Sequence, residues 1–379
     1  MNHPFLVNQF KLTQQSEIDK ILQHGIRQVS IDTERGLDVA SDAAAVTDTD
    51  SIAEATLDLD LDLPAPPVQP TSFSDEMAAA KQVLAEASTL MVDVMAEARM
   101  GRMVELEQME PVVENLIQSV LRNPGALSCL GRMRQKDHYT FEHSINVSVL
   151  LVNFCHHLGM DRRTLRDAAI GGLLHDVGKV HTPDALLNKV EPLSDAEFAQ
   201  IRAHVDQGVD MVGSIAGISD LSLTIVAQHH EHMDGGGYPA GLKGAQIAQL
   251  GQMAAIVDVY EALTSARSYR AAMEPAQALQ RIFGWSKQQF NKDLVQRFIQ
   301  CVGIYPVGTL VLLDSGMLAL VVQANPAQLL RPTVRLLLDS RRDLPIPPRD
   351  LDLAKPTVKE RIVSSESAAK WKVNLASHL

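Results

Sequence analysis

From Asp75 to about Val302 almost every segment repeats its apolar residues at the 3.6-residue spacing of an amphipathic helix. Val112 to Leu121, Phe141 to Leu158, Leu165 to Leu174, Leu221 to His229 and Met253 to Leu263 all show it. A chain that arranges its apolar residues this way has to bury them helix against helix. The predicted fold is therefore mainly α, with a helical domain over residues 75–304. The period changes after Tyr305-Pro306-Val307-Gly308. Thr309 to Leu313 and Met317 to Val322 read as strands joined by the turn residues Asp314-Ser315-Gly316, and Val334 to Leu338 reads as a third. Residues 305–379 are expected to form a short β-rich extension and tail, with little pattern beyond Pro345.

Ahead of the helical region, residues 43–74 are acidic and Pro-containing (TLDLDLDLPAPPVQP) and predict an extended linker. Residues 1–42 predict a small α+β module, with Ile18, Ile21 and Leu22 spaced for a short helix and Val29 and Ile31 alternating as in a strand. A chain of 379 residues has room for one large core and such attachments.

The net charge of -12 argues against long nucleic acid as a partner, because backbone phosphates are bound by clustered Lys and Arg. A small phosphate ester stays compatible with it if metal ions supply positive charge locally. Cys129, Cys155 and Cys301 are few and far apart, which predicts neither disulfides nor a thiolate metal site. Met1 to Phe10 has no basic stretch followed by a long apolar run, and no apolar run reaches the roughly 18 to 20 residues of a membrane span. A cytoplasmic protein without a membrane span is the expectation. Gly235 to Gly237 lacks the strand-before, helix-after setting of a dinucleotide fingerprint.

Within the helical region His143, His175-Asp176, His204, His229-His230 and Asp258 form a series of nitrogen and oxygen donors without a thiolate. Such a set suits a catalytic Mn, Fe or Zn ion better than a structural zinc site. Any one of these histidines alone reads more simply as a satisfied core or surface residue; the pattern reverses that. His24, His156, His157, His181 and His232 lie outside it and keep the simpler reading. Neighbouring residues on a helix diverge by about 100°. Two doublets on one ion are therefore awkward, whereas two divalent ions bridged by the Asp176 carboxylate accommodate them. A two-metal site activates a bridging water as hydroxide and neutralises charge on phosphoryl oxygens, which is phosphoester hydrolysis. Lys179, three residues after Asp176, and Arg267 and Arg270, after Asp258, are the candidate phosphate-binding cations. Alone, Lys179 would be a helix-end cation and the two arginines solvated charge.

Leu174-His175-Asp176-Val177-Gly178-Lys179, together with His229-His230-Glu231 running on to Gly237-Tyr238-Pro239, resembles the HD-GYP subfamily of HD-domain phosphohydrolases. The similarity continues through DALLNK (184–189), Leu193 to His204 and AAIVDVYEALTSARSYR (254–270), covering roughly residues 110 to 302. It implies an HD-GYP helical bundle and a binuclear or trinuclear iron or manganese site that hydrolyses c-di-GMP to pGpG or GMP. Its ligands would be His143, His175, Asp176, His204, His229, His230 and Asp258, with Lys179 and Arg267 on phosphate. Two positions depart from the family. Trinuclear members carry Glu four residues before the first His, where this chain has Tyr139, and Glu142 points about 100° away; a binuclear site is expected. His232 stands where Arg is usual. The resemblance links the Gly237-Tyr238-Pro239 loop to GGDEF-domain diguanylate cyclases, although a turn that orients the His pair is the simpler reading. A homodimer is a further expectation. The module at residues 1–42 resembles a small domain of unknown function often found ahead of HD-GYP domains. The alternatives are hydrolysis of another cyclic dinucleotide or nucleotide, or a weakly active scaffold that docks cyclases.

Overall fold

The computed structural model describes residues 69–133, 139–189, 191–265, 272–373 and 375. The expected α+β module of residues 1–42 and most of the linker lie outside them, as do Arg267, Arg270 and the side chain of Tyr139. The helical region opens with α1 (Phe73–Arg99), α2 (Leu106–Arg122) and α3 (Pro124–Met133), followed by α4 (Tyr139–His157) and α5 (Arg162–Leu174). After the 3-10 turn Val177–His181 come α6 (Asp184–Leu187), α7 (Asp195–Arg202), α8 (His204–Gly213) and α9 (Asp220–Gln228). The 3-10 turn Gly244–Gln246, α10 (Gln249–Thr264), α11 (Pro275–Trp285) and α12 (Lys292–Val302) complete the helical body.

Side chains at the helix starts define them. Ser72, Asp161, Ser219 and Asn291 each accept a backbone N–H of the first turn, and Ser194 with Glu197 closes a capping box. Two helices are buried on most sides. In α4, Ile145, Val147, Leu151, Val152 and Phe154 are inaccessible or nearly so, and in α10 Met253 to Val257 and Tyr260 are likewise inside. A helix apolar all round belongs at the centre of a bundle, and α5 and α9 pack beside this pair. One continuous core joins them to α1, whose Met77, Ala80, Leu84, Met91 and Val94 are buried in it. At the edge of this contact Glu76, 2% exposed, accepts Arg122 Nε and Nη2 at 2.7 Å each and Ser119 Oγ at 2.8 Å. The carboxylate has shed its water and is held by charge-assisted bonds in exchange.

The β-rich extension is an antiparallel sheet of β1 (Leu310–Leu313), β2 (Met317–Gln323), β3 (Thr333–Asp339), β4 (Leu344–Asp352) and β5 (Ile362–Glu366), in the order β4-β3-β2-β1-β5. The expected hairpin is present, with Val311 opposite Ala319 and Gly316 at φ 83° in the turn. Val311, Ala319, Val321 and Val334 fill one face, and Leu310, Leu318, Leu320 and Leu337 the other, where Trp371 of α13 (Ala368–Trp371) packs. Among the described residues no helix is long and apolar enough to cross a membrane.

Candidate metal centre

The donors reach one point because the two doublets sit where helices end. His175 is the C-cap of α5, and Asp176 has already left the helix with φ −106° and ψ 8°. His229 is the C-cap of α9, with His230 beyond it. Leaving the helix removes the 100° divergence that would separate neighbouring side chains. His143 projects from α4, His204 opens α8 and Asp258 lies in α10.

All seven residues come together in two groups: Asp176 with His204, His229 and His230, and His143 with His175 and Asp258. Within each group the donor atoms lie within 4.8 Å of one another. Asp176 stands between the groups. Its Oδ2 is 3.4 Å from His175 Nε2 and 3.6 Å from His143 Nε2, while its Oδ1 is 3.3 Å from His204 Nε2 and 3.7 Å from His229 Nε2. Asp258 Oδ1 lies 3.0 Å from His143 Nε2, and its Oδ2 3.6 Å from His230 Nδ1.

The hydrogen bonds behind the rings decide which nitrogens face inward. His175 Nδ1 meets the Gly172 carbonyl at 2.8 Å, His204 Nδ1 that of Ile201 at 2.6 Å, and His229 Nδ1 that of Val226 at 2.8 Å. A carbonyl only accepts, so Nδ1 carries the proton and Nε2 of the neutral ring is a lone pair. Lone pairs then face one another at His204 and His229, Nε2 to Nε2 at 3.4 Å, while the His175 lone pair lies 3.2 Å from His143 Nε2. Asp176 Oδ1 is buried without a hydrogen-bond partner, since the Nε2 atoms beside it have no proton to give. Around Asp176, buried acceptors turned on acceptors are a costly arrangement that a divalent cation relieves. The donor set fits divalent metal.

Ionisation agrees with this. Burial, aided by neighbouring charge, lowers His229 to about 4 and holds His230 well below its ordinary value, so both rings are neutral. Burial opposes ionisation of Asp176 and Asp258, but the Lys179 charge works against it for Asp176, and His143 does so for Asp258; both carboxyls stay below the usual range. Lys179 Nζ lies 2.5 Å from Asp176 Oδ2. The lysine read as a phosphate contact is thus paired with the central carboxylate.

Two buried acids have roles that the sequence reading did not assign. Glu261, 3% exposed and one turn after Asp258, hydrogen-bonds His143 Nδ1 and also accepts Asn146 Nδ2 at 3.0 Å and Ser265 Oγ at 2.5 Å. The available signal was the Asp258–Glu261 spacing, which puts both acids on one face of α10. Glu231, 2% exposed, accepts the Ala240 and Leu242 N–H groups at 2.8 and 2.9 Å and fastens the loop that follows the His doublet. In that loop a Cβ on Gly237 would come within 2.5 Å of the His230 carbonyl oxygen, so the residue must be glycine for the chain to pass. Tyr238 stacks on His230 with centroids 4.6 Å apart, and the Arg202 guanidinium lies 4.3 Å over Phe198 and 4.9 Å over Tyr238.

Comparison with known proteins places these observations in a family. An HD domain matches residues 111–294, and a domain of unknown function (DUF3391) matches residues 1–109. A cyclic di-GMP phosphodiesterase of Pseudomonas aeruginosa is 34% identical over 372 residues, 98% of this chain and 88% of that protein. A 3'3'-cGAMP-specific phosphodiesterase of Vibrio cholerae is 37% identical over 138 residues, 36% of this chain and 32% of that protein. Among solved structures, an HDG"Y"P protein from Bdellovibrio bacteriovorus aligns over 62% of this chain and 73% of that one, with TM-score 0.48 and 18% identity.

Proposed function

The chain belongs to the HD-GYP family of cyclic di-GMP phosphodiesterases, and from that premise we propose that its two donor groups hold a pair of divalent ions at which c-di-GMP is hydrolysed to pGpG or GMP. The observation that carries the proposal is the position of Asp176, one carboxylate oxygen turned to each group. When bound, the ions supply Lewis acidity that activates water and neutralises charge gathering on phosphoryl oxygens.

The protein's own residues do the rest. His143, His175 and Asp258 would hold one ion and His204, His229 and His230 the other, with Asp176 between them. The backbone carbonyls behind His175, His204 and His229 and the Glu261 carboxylate behind His143 fix which ring nitrogen faces inward. Lys179 neutralises the Asp176 carboxylate and stands ready to turn to a non-bridging phosphate oxygen as substrate arrives. Arg267 and Arg270 are proposed as further phosphate contacts. The thiolate-free donors suit Mn, Fe or Zn, the family resemblance favours iron or manganese among these, and Tyr139 in place of a Glu favours two ions over three. From the family resemblance we also carry forward, as proposals, a docking role for the Gly237-Tyr238-Pro239 loop toward GGDEF-domain cyclases, a homodimer and a cytoplasmic location.

The experiment is hydrolysis of c-di-GMP by protein purified anaerobically and loaded separately with iron or manganese, with bound metal counted. Metal-dependent appearance of pGpG or GMP with about two ions per chain is expected; no turnover with both ions bound would overturn the proposal. The similarity to a 3'3'-cGAMP-specific enzyme supports a second reading in substrate only, and competition between the two cyclic dinucleotides separates them.

A further inference from the structure

A second cavity lies behind the metal centre. It encloses about 390 Å³ where α3, α4, α10 and α12 meet the end of β2, within the range of small-molecule sites. Its wall on α4 is a helical stripe running through Asn146, Val149, Leu150, Asn153, His156 and His157. The next position of that stripe toward the amino terminus is His143. Glu261, Asn146 and Ser265 line the same cavity, and they are the groups that orient His143. The cavity and the metal centre therefore share a wall one side chain thick.

Its polar groups are selective. Arg132 lines it with no carboxylate partner among the described residues, its described partner being the Tyr260 hydroxyl. Asn153 is 8% exposed and its side-chain amide makes no hydrogen bond among the described residues. An amide without a hydrogen bond and a guanidinium without a carboxylate line the same cavity, and both can donate to an acceptor there. The remaining wall is apolar, from Val149, Leu150, Val302, Val307 and Val322.

We infer that this cavity is an effector site for a small amphipathic monoanion, a carboxylate with an apolar body. The carboxylate would take Arg132 and Asn153, and the body would lie on the valines. Through the Glu261, Asn146 and Ser265 wall its binding alters how tightly His143 holds metal. Only the effect on turnover rests on the phosphodiesterase reading; binding and metal retention do not.

The test uses the metal-loaded full chain and two probes, octanoate for an aliphatic body and phenylacetate for an aromatic one, titrated calorimetrically. Saturable binding of one of them is expected. Arg132→Gln should weaken it on the order of tenfold, the usual worth of a hydrogen bond to a charged group. Ser128→Trp, placed on a half-exposed wall where bulk does not threaten the core, should abolish it. Saturating probe should also shift metal retention, measured by chelator competition, several-fold. No saturable binding of either probe, or binding that both substitutions leave unchanged, overturns the site. Binding with unaltered metal retention overturns the coupling. Binding and coupling in a protein that fails to hydrolyse c-di-GMP would support the site while removing the phosphodiesterase reading.

Discussion

Asp176 and His143 carry the most consequence for their size. The Asp176 carboxylate stands between the donor sets, within 3.7 Å of four imidazole nitrogens, so Asp176→Ala should abolish turnover and reduce bound metal together. Losing a member of a concerted site costs orders of magnitude in rate, and a variant that keeps activity would dismiss the shared-carboxylate arrangement. Glu261→Gln keeps shape but removes the charge behind His143. Metal affinity or activity should fall about 10- to 100-fold, as for other groups that orient a ligand, read by metal titration and rate. A pH effect follows from the same pair. In metal-free protein burial alone would depress His143, but Glu261 and Asp258 outweigh it and raise the ring from 6.5 to about 10. A proton held more tightly in the folded state stabilises fully below the unfolded value, and that contribution drains away as pH rises toward the folded one. His229, lowered to about 4, acts in the opposite sense and only below about 6.5. Burial raises Cys129 from 9.0 to about 11, so its thiol enters only at higher pH. Thermal melts of chelated protein should therefore show lower stability at about pH 8.5 than at about 6.5. Metal, taking the proton's place, should flatten the difference; equal melting at both values without metal would refute the linkage.

At the scale of elements, the centre depends on how closely helix ends approach. A Cβ on Gly178 would overlap the His204 carbonyl oxygen and sit 2.7 Å from the Gly208 nitrogen, so the turn after Asp176 and α8 touch backbone to backbone. Gly178→Ala should cost about 1–3 kcal/mol, as overpacking does, visible as a lower Tm and reduced metal content; a neutral substitution would mean that α8 can shift without disturbing His204. Helices were legible because their apolar faces are periodic, and β1 to β3 because Asp314-Ser315-Gly316 marks the turn between alternating runs. β4 was not. Its Pro345, Pro347 and Pro348 read as irregular chain, yet β4 is the outermost strand beside β3 and its register shifts between Pro345 and Arg349, where Pro347 and Pro348 interrupt no paired position. The seven donors were legible from residue type and spacing, and the structure brings them together. Glu261 and Glu231 were not, because an acid that serves another side chain or a loop amide leaves no spacing of its own.

For the molecule as a whole, the donors come from α4, α8, α10 and the C-terminal ends of α5 and α9, so bound metal would tie five helices together. Chelation should lower the melting temperature well beyond any local loosening, since a ligand present at about 100 times its Kd contributes about 2.7 kcal/mol; calorimetry of loaded and stripped protein measures it. A final consequence concerns descent. The domain of unknown function is matched as far as residue 109, but α1, well inside that span, is part of the catalytic core and fastened to α2 through Glu76 and Arg122. A recombination junction at residue 110 would leave Arg122 without its acid and strip a wall from the core. Genes that exchange the amino-terminal module in this lineage should break ahead of Phe73, because a crossover at the homology boundary inherits an unpaired half of one fold.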